Sequence, residues 1–219
     1  MNFFGLSLTL ILFFIFNKLK LKIPIIVSVG VSIIIILKIF NISYENYQIS
    51  ASYLTYFIAP ATITLAYPMY KNYHILLKNK RALYPALFLA TIIAMVSTYF
   101  CAKFLNADHR VIMSLLPKPT PMPIALSISK NIEGYIELTA CIVALTGIFG
   151  GIFGHIILKF LKVKNDVAIG LSLGSASHVI GTAACVEKKK EKQIASSTIA
   201  LIIVGILSAI LIPLFKKFY

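Results

Sequence analysis

Residues 111–129 read VIMSLLPKPTPMPIALSIS, and how this stretch meets a membrane decides the arrangement of everything after it. Pro117, Pro119, Pro121 and Pro123 alternate through it. Each removes a backbone donor and clashes with the preceding turn, so no continuous helix survives. Lys118 stands among them with apolar sequence on both sides. An ammonium at membrane depth costs at least about 2.5 to 3.5 kcal/mol on insertion scales, so it needs water, an anion or a carboxylate beside it. Lys118 is therefore the first candidate binding residue. The alternative is a surface loop in which the lysine is simply solvated, and the apolar flanks argue against it.

The rest of the chain places this stretch in lipid. Of 219 residues, 59% are hydrophobic and only 13% charged, and the mean hydropathy is +0.90. Soluble domains carry about 25% charge. Apolar stretches at about 3–17, 23–40, 50–70, 82–105, 111–130, 135–161, 166–186 and 194–215 predict seven or eight membrane segments of about 20 residues. The polar connections between them are too short to fold alone. The expected fold is an all-α polytopic membrane protein with interrupted helices and an inverted-repeat, transporter-like core, a single transmembrane domain over residues 1–219. The run from Phe3 to Phe16 is followed, not preceded, by Lys18, Lys20 and Lys22 and lacks a small-residue cleavage site, so it reads as a retained first span.

The net charge of +14 comes in short clusters between apolar segments, with no aromatic-interleaved basic face. Bilayer orientation explains it, and no nucleic-acid partner is expected. Cys101, Cys141 and Cys185 lie about 40 residues apart, which predicts neither a metal site nor a disulfide framework. No HExxH, GxSxG, Walker loop or carboxylate pair is present, so an enzyme is not expected, nor a cofactor.

Lys and Arg favour the cytoplasmic side. Lys18 to Lys22 and Lys71 to Arg81 then both face the cytoplasm, with two spans between them. Beyond residue 110 the rule divides. If 111–130 crosses, Lys188 to Lys192 lie inside but Lys159 to Lys164, Lys216 and Lys217 lie outside; if it dips in and returns, these exchange. Each topology strands a basic cluster. A re-entrant segment is favoured, because segments 50–70 and 166–186 are each followed by a basic connection and a long apolar span, and only re-entry makes those units antiparallel.

Two further segments look interrupted. In TYFIAPATITLAYPMYK (55–71), Pro60 and Pro68 predict a break, with Thr62, Thr64 and Tyr67 facing a cavity or a neighbouring helix; a kinked structural span is the alternative. In AIGLSLGSASHVIGTAACVE (168–187), Gly174, Ser175, Ser177, His178, Gly181 and Thr182 form a small, polar, flexible stretch. His178 could exchange a proton or hydrogen-bond a carboxylate, or it could make an interhelical hydrogen bond alone. Gly147, Gly150, Gly151 and Gly154 give two overlapping GxxxG spacings, and Gly170 with Gly174 another; these predict packing faces within the chain or between copies, and His155 beside them is read as structural.

At Pro60 to Tyr70, Pro117 to Ala125 and Ser177 to Thr182 the chain resembles the LrgB/CidB family, with its PATVALAxPLY-like helix, PKSVTTPIA-like loop and AHAIGT-like helix. Order and spacing agree over nearly the whole chain. Where the family loop has Ser, Val, Thr and Thr, this sequence has Pro119, Thr120, Pro121 and Met122, which points to a different substrate. The resemblance implies a bacterial inner-membrane, multi-pass protein. It implies either an antiholin-like or holin-like regulator of murein hydrolases working with a small LrgA/CidA-like partner, or a carrier of small carboxylates such as pyruvate or glycolate. The broken segments favour the carrier, proton-coupled, with Lys118, Thr120, Ser177, His178, Gly181, Thr182, Pro60 and Thr62 as the substrate site. The regulator is the alternative, with the glycine faces serving a partner or a homo-oligomer.

Overall fold

The computed structural model describes residues 3–19, 25–57, 60, 63, 64, 66–71 and 73–218. It divides into two compact units, Met1–Thr64 and Leu65–Tyr219.

In the first unit, α1 (Phe4–Leu19), α2 (Ile25–Ile39) and α3 (Tyr44–Ala51) are followed by a 3-10 turn, Ser52–Phe57. Residues 41–48, expected to be a plain connection, are largely the helix α3, which Ser43 caps at the amide of Asn46. Gly5 lets α1 touch α3 backbone to backbone: a Cβ there would enter the carbonyl of Tyr47. Its amide donates to the Ser50 hydroxyl at 2.8 Å.

The second unit holds α4 (Ala66–Lys71), α5 (Tyr73–Phe104), α6 (His109–Leu115), α7 (Met122–Asn131), α8 (Ile136–Phe160), α9 (Asp166–Glu187) and α10 (Glu191–Phe218). The described residues of the expected connection 71–81 belong largely to α5, whose helix runs on past the apolar stretch. By length and composition, four helices could cross a membrane: Leu77–Phe104, Ile136–Phe160, Asp166–Glu187 and Glu191–Lys217. The helices Phe4–Leu19 and Val27–Ile39 are apolar but shorter. Of the seven or eight segments read from hydropathy, four are thus long apolar helices among the described residues. Their outer faces carry exposed Phe88, Ile93, Phe153, Ile156, Ile206 and Ile210, as lipid contact requires.

Two of the apolar segments double back. Residues 111–130 form α6, a turn and α7, and the open ends lie together: the Arg110 guanidinium donates to the Glu133 carbonyl at 3.1 Å and the Tyr135 amide to the Ser114 hydroxyl at 2.6 Å. Gly134 permits this approach, since a Cβ there would meet Ser129 and the backbone of Ser114. α9 is broken at His178, where φ is 42° and ψ −129°. A straight helix of 22 residues would be about 33 Å long. Yet Asp166, at its start, accepts from Gln193 at 2.7 Å and from Lys190 at 3.1 Å, beyond its end. Midway, a Cβ on Gly181 would enter the carbonyl of Leu173. Residues 166–177 and 179–187 are therefore antiparallel limbs of a hairpin.

α8 orders the two hairpins. The first opens beside its amino end, where the Thr139 hydroxyl donates to the carbonyl of Ser114 at 2.8 Å and lies 2.7 Å from the hydroxyl of Ser129. The second opens beside its carboxyl end, where His155 is bound to Gln193 at 3.0 Å. They enter from opposite ends. Helix α10 lies against both, and two apolar clusters tie it to α5: Leu83 and Leu87 with Ile199, Ala200 and Val204, and Met95 and Ala102 with Ile112, Ile132 and Ile212.

Candidate functional site

The tip of the first hairpin is made by prolines. Fixed φ values at Pro117, Pro119 and Pro121 end α6 and start α7, and the Thr120 side chain closes the turn by donating to the Pro117 carbonyl at 2.9 Å. Thr120 is fully buried. Lys118 is half-buried. Among the described residues its ammonium has neither a hydrogen bond nor an ion pair. The amino end of α7 has no side-chain cap, so its first amides add positive potential close by.

The second tip is held by α8. Every bonding partner at Val143 O must donate, so His178 Nε2 carries the proton and donates to that carbonyl at 3.0 Å. The bond holds a histidine in a backbone region that glycine favours, at a cost of about 1 to 3 kcal/mol. Gly147 and Gly150 make room for the tip: a Cβ on Gly147 would meet the His178 ring at 2.6 Å, and one on Gly150 would enter the Ser177 side chain. Gly151 and Gly154 likewise receive Ile180 and Leu173. The GxxxG faces are thus filled within the chain.

Both tips reach one cavity of about 520 Å³, half-way along α8. Lys118 from the first hairpin and Ser177 and Ser172 from the second line it, with Thr146 and the apolar Leu145 and Phe149 from α8. The Thr146 hydroxyl is spent on the Ile142 carbonyl at 2.7 Å. That of Ser177, a residue only 3% exposed, makes no hydrogen bond among the described residues. No acidic residue lines the cavity. It offers one cation and free hydroxyl groups within apolar walls, which is the complement of a small anion with an apolar part.

Lys118 and Ser177 are therefore brought together at one cavity. Of the other candidates, His178, Gly181, Thr182 and Thr120 are not part of the cavity lining. His178 is buried and turned to Val143, Gly181 packs on Leu173, the Thr182 hydroxyl donates to the His178 carbonyl at 3.1 Å, and Thr120 closes its own turn. Pro60 belongs to the first unit, and Thr62 lies outside the described residues. Ser172 and Thr146 were not anticipated. Thr146 sits one turn before Gly150, but that i, i+4 spacing gains meaning only from the packing of Ser177 on Gly150, which the sequence does not show.

Comparison with known proteins agrees with the sequence motifs. The LrgB-like family model matches residues 9–218. The antiholin-like protein LrgB of Bacillus mycoides (strain KBAB4) is 34% identical over 182 residues, covering 83% of this chain and 79% of the relative. Its counterpart in Bacillus cereus (strain B4264) is 32% identical over the same shares. The uncharacterized protein YxaC of Bacillus subtilis (strain 168) is 31% identical over 178 residues, 81% of this chain and 77% of that protein. No solved structure matches the chain significantly. With a family match over almost its full length and membrane-length apolar helices to accompany it, the chain belongs to the LrgB-like family of membrane proteins.

Proposed function

We propose that this protein is a multi-pass inner-membrane carrier of small carboxylates of the pyruvate or glycolate kind. The observation that carries the reading is the meeting of two oppositely entering hairpins at one cavity, lined by Lys118 from one and by Ser177, with its unpartnered hydroxyl, from the other. Carriers place their sites at the midplane, between interrupted helices that antiparallel repeats supply. Here the repeat would pair α5 and the first hairpin with α8 and the second, not segment 50–70 with 166–186. This arrangement also narrows the charge conflict to the pair Lys216 and Lys217. With both 111–130 and 166–187 turning back, Lys71 to Arg81, Lys159 to Lys164 and Lys188 to Lys192 share one end, the cytoplasmic one by the positive-inside rule. Lys216 and Lys217 lie at the other.

The carboxylate would pair with Lys118, take a hydrogen bond from Ser177 and set its apolar part against Phe149 and Leu145. His178 supports the site by fixing the second tip. Its Nε2 proton is committed to Val143, so a coupled proton would add at Nδ1 or cross beside the anion. The test is uptake of labelled pyruvate or glycolate into proteoliposomes with and without a pH gradient. Uptake is expected, and Lys118→Ala should lower it about tenfold or more, since an anion would lose its only full charge partner. Unchanged uptake in that variant removes the proposed anchor.

The relatives' names favour the second reading over the first: both LrgB proteins above are called antiholin-like. On that reading the chain restrains murein hydrolases together with an LrgA-like partner, and the wild-type protein moves no carboxylate while Lys118→Ala retains lysis control. Substitution of Gly150 does not separate the readings, because it would disrupt the second hairpin under either.

A further inference from the structure

The mouth of the second hairpin holds a second hollow, about 440 Å³, at the carboxyl end of α8. Lys159 reaches it from the last turn of α8, Lys162 and Lys164 from the α8–α9 connection, and Lys188 and Lys190 from the α9–α10 connection. These are the two ends of one hairpin. Orientation in a bilayer and the negative end of α8 account for lysines near this level. They do not account for five converging on a hollow, where like charges repel.

The floor is built. Gln193, 1% exposed, presents its carbonyl oxygen to His155, which donates through Nε2 at 3.0 Å, while its amide donates to Asp166 at 2.7 Å. Lys190 adds a 3.1 Å ion pair to the same oxygen. Asp166 is thereby engaged through Oδ1, and it lies outside the lining. Glu187 and Glu191 are exposed and do not line the hollow either. Among the described residues, Lys159, Lys162, Lys164 and Lys188 have no ion-pair partner.

We propose that this hollow binds an anionic phosphate-bearing group, from a phospholipid headgroup or free in solution, held by lysines from both connections so that it clasps the mouth of the second hairpin. Basic pockets between membrane helices at the positively charged face suit such groups. The site is separate from the Lys118 cavity and stands whether or not that cavity carries a carboxylate.

The full chain in neutral detergent, titrated with short-chain phosphatidylglycerol, short-chain phosphatidylcholine or inorganic phosphate while its unfolding temperature is followed, tests this. A saturable rise is expected with phosphatidylglycerol or phosphate, and which of them saturates at lower concentration identifies the source. Lys162→Gln with Lys188→Gln should weaken it about twenty-five-fold, at about a factor of five per lysine, while Lys216→Gln with Lys217→Gln at the opposite end changes it less than twofold. If the double variant does not fold, exposed Lys164→Gln alone should weaken it about fivefold. Equal binding of phosphatidylcholine, no saturable rise with either anion, or less than a twofold change in the Lys162/Lys188 variant, or in Lys164→Gln where that replaces it, overturns the proposal.

Discussion

The two hairpins reach the same cavity by opposite means. The first turns because its own sequence forbids anything else: Pro117, Pro119 and Pro121 fix the backbone, and Thr120 closes the turn onto Pro117 at 2.9 Å. The second turns at a histidine with φ of 42°, with no proline in it, and is held by Val143, 35 residues away. One tip is stiff before folding. The other depends on α8 being in place, and the glycines of α8 are where that dependence is greatest.

Gly150→Leu should therefore have the largest effect of any single change at the tips, because the new side chain would occupy the position of Ser177. A loss of about 3 kcal/mol is expected, at the top of the range for overpacking. Gly30→Leu, where a Cβ meets nothing within 4 Å, is the matched control and should leave the unfolding temperature in detergent unchanged or slightly higher. A Gly150→Leu protein as stable as the wild type would mean that the second tip does not rest on α8.

The strain at His178 can be measured by a pair of variants. Both His178→Ala and His178→Gly lose the Val143 hydrogen bond, worth about 1 kcal/mol, but only alanine keeps a Cβ in the glycine-favoured region. Glycine should be the more stable of the two by about 1 to 2 kcal/mol, the reverse of their order in an ordinary helix. The usual order, alanine above glycine by about 1 kcal/mol, would show an unstrained turn. In the first hairpin Thr120→Ala should cost only about 1 kcal/mol, since the prolines still set the turn without the hydroxyl.

This contrast also explains what the sequence could reveal. Alternating prolines around Lys118 announce a break by local chemistry, and they lie at the first tip. The run of Gly, Ser and His around residue 178 announced an interruption, but not a reversal. The reversal is fixed by a carbonyl on another helix, and local composition carries no trace of that bond. Treating 166–186 as a crossing is what set Lys159 to Lys164 and Lys188 to Lys192 on opposite sides in both topologies read from charge. The same limit applies to residues: Lys118 and Ser177 were legible as polar groups within broken apolar segments, whereas Ser172 and Thr146 acquire their place only from the packing of the second hairpin against Gly150 and Gly154.

The bases of the hairpins differ as well, and here the smallest effect is expected. The first is flanked by an ion pair between Glu133 and Lys216 at 3.0 Å, with the glutamate side chain 83% exposed. The hydrogen bond from Lys216, then its charge, holds the Glu133 carboxyl below its ordinary value of 4.5. A carboxylate lowered in the folded state contributes stability above 4.5 that is lost as pH falls through the lower, folded value. Glu133→Gln should accordingly lower the unfolding temperature slightly at neutral pH, and the difference from wild type should vanish under acid. Salt should shrink it too, because an exposed pair is screened. A large, salt-insensitive loss would place the anchor of this hairpin at Lys216, not in the bonds among Ser114, Ser129, Thr139 and Tyr135 that bind its limbs to α8.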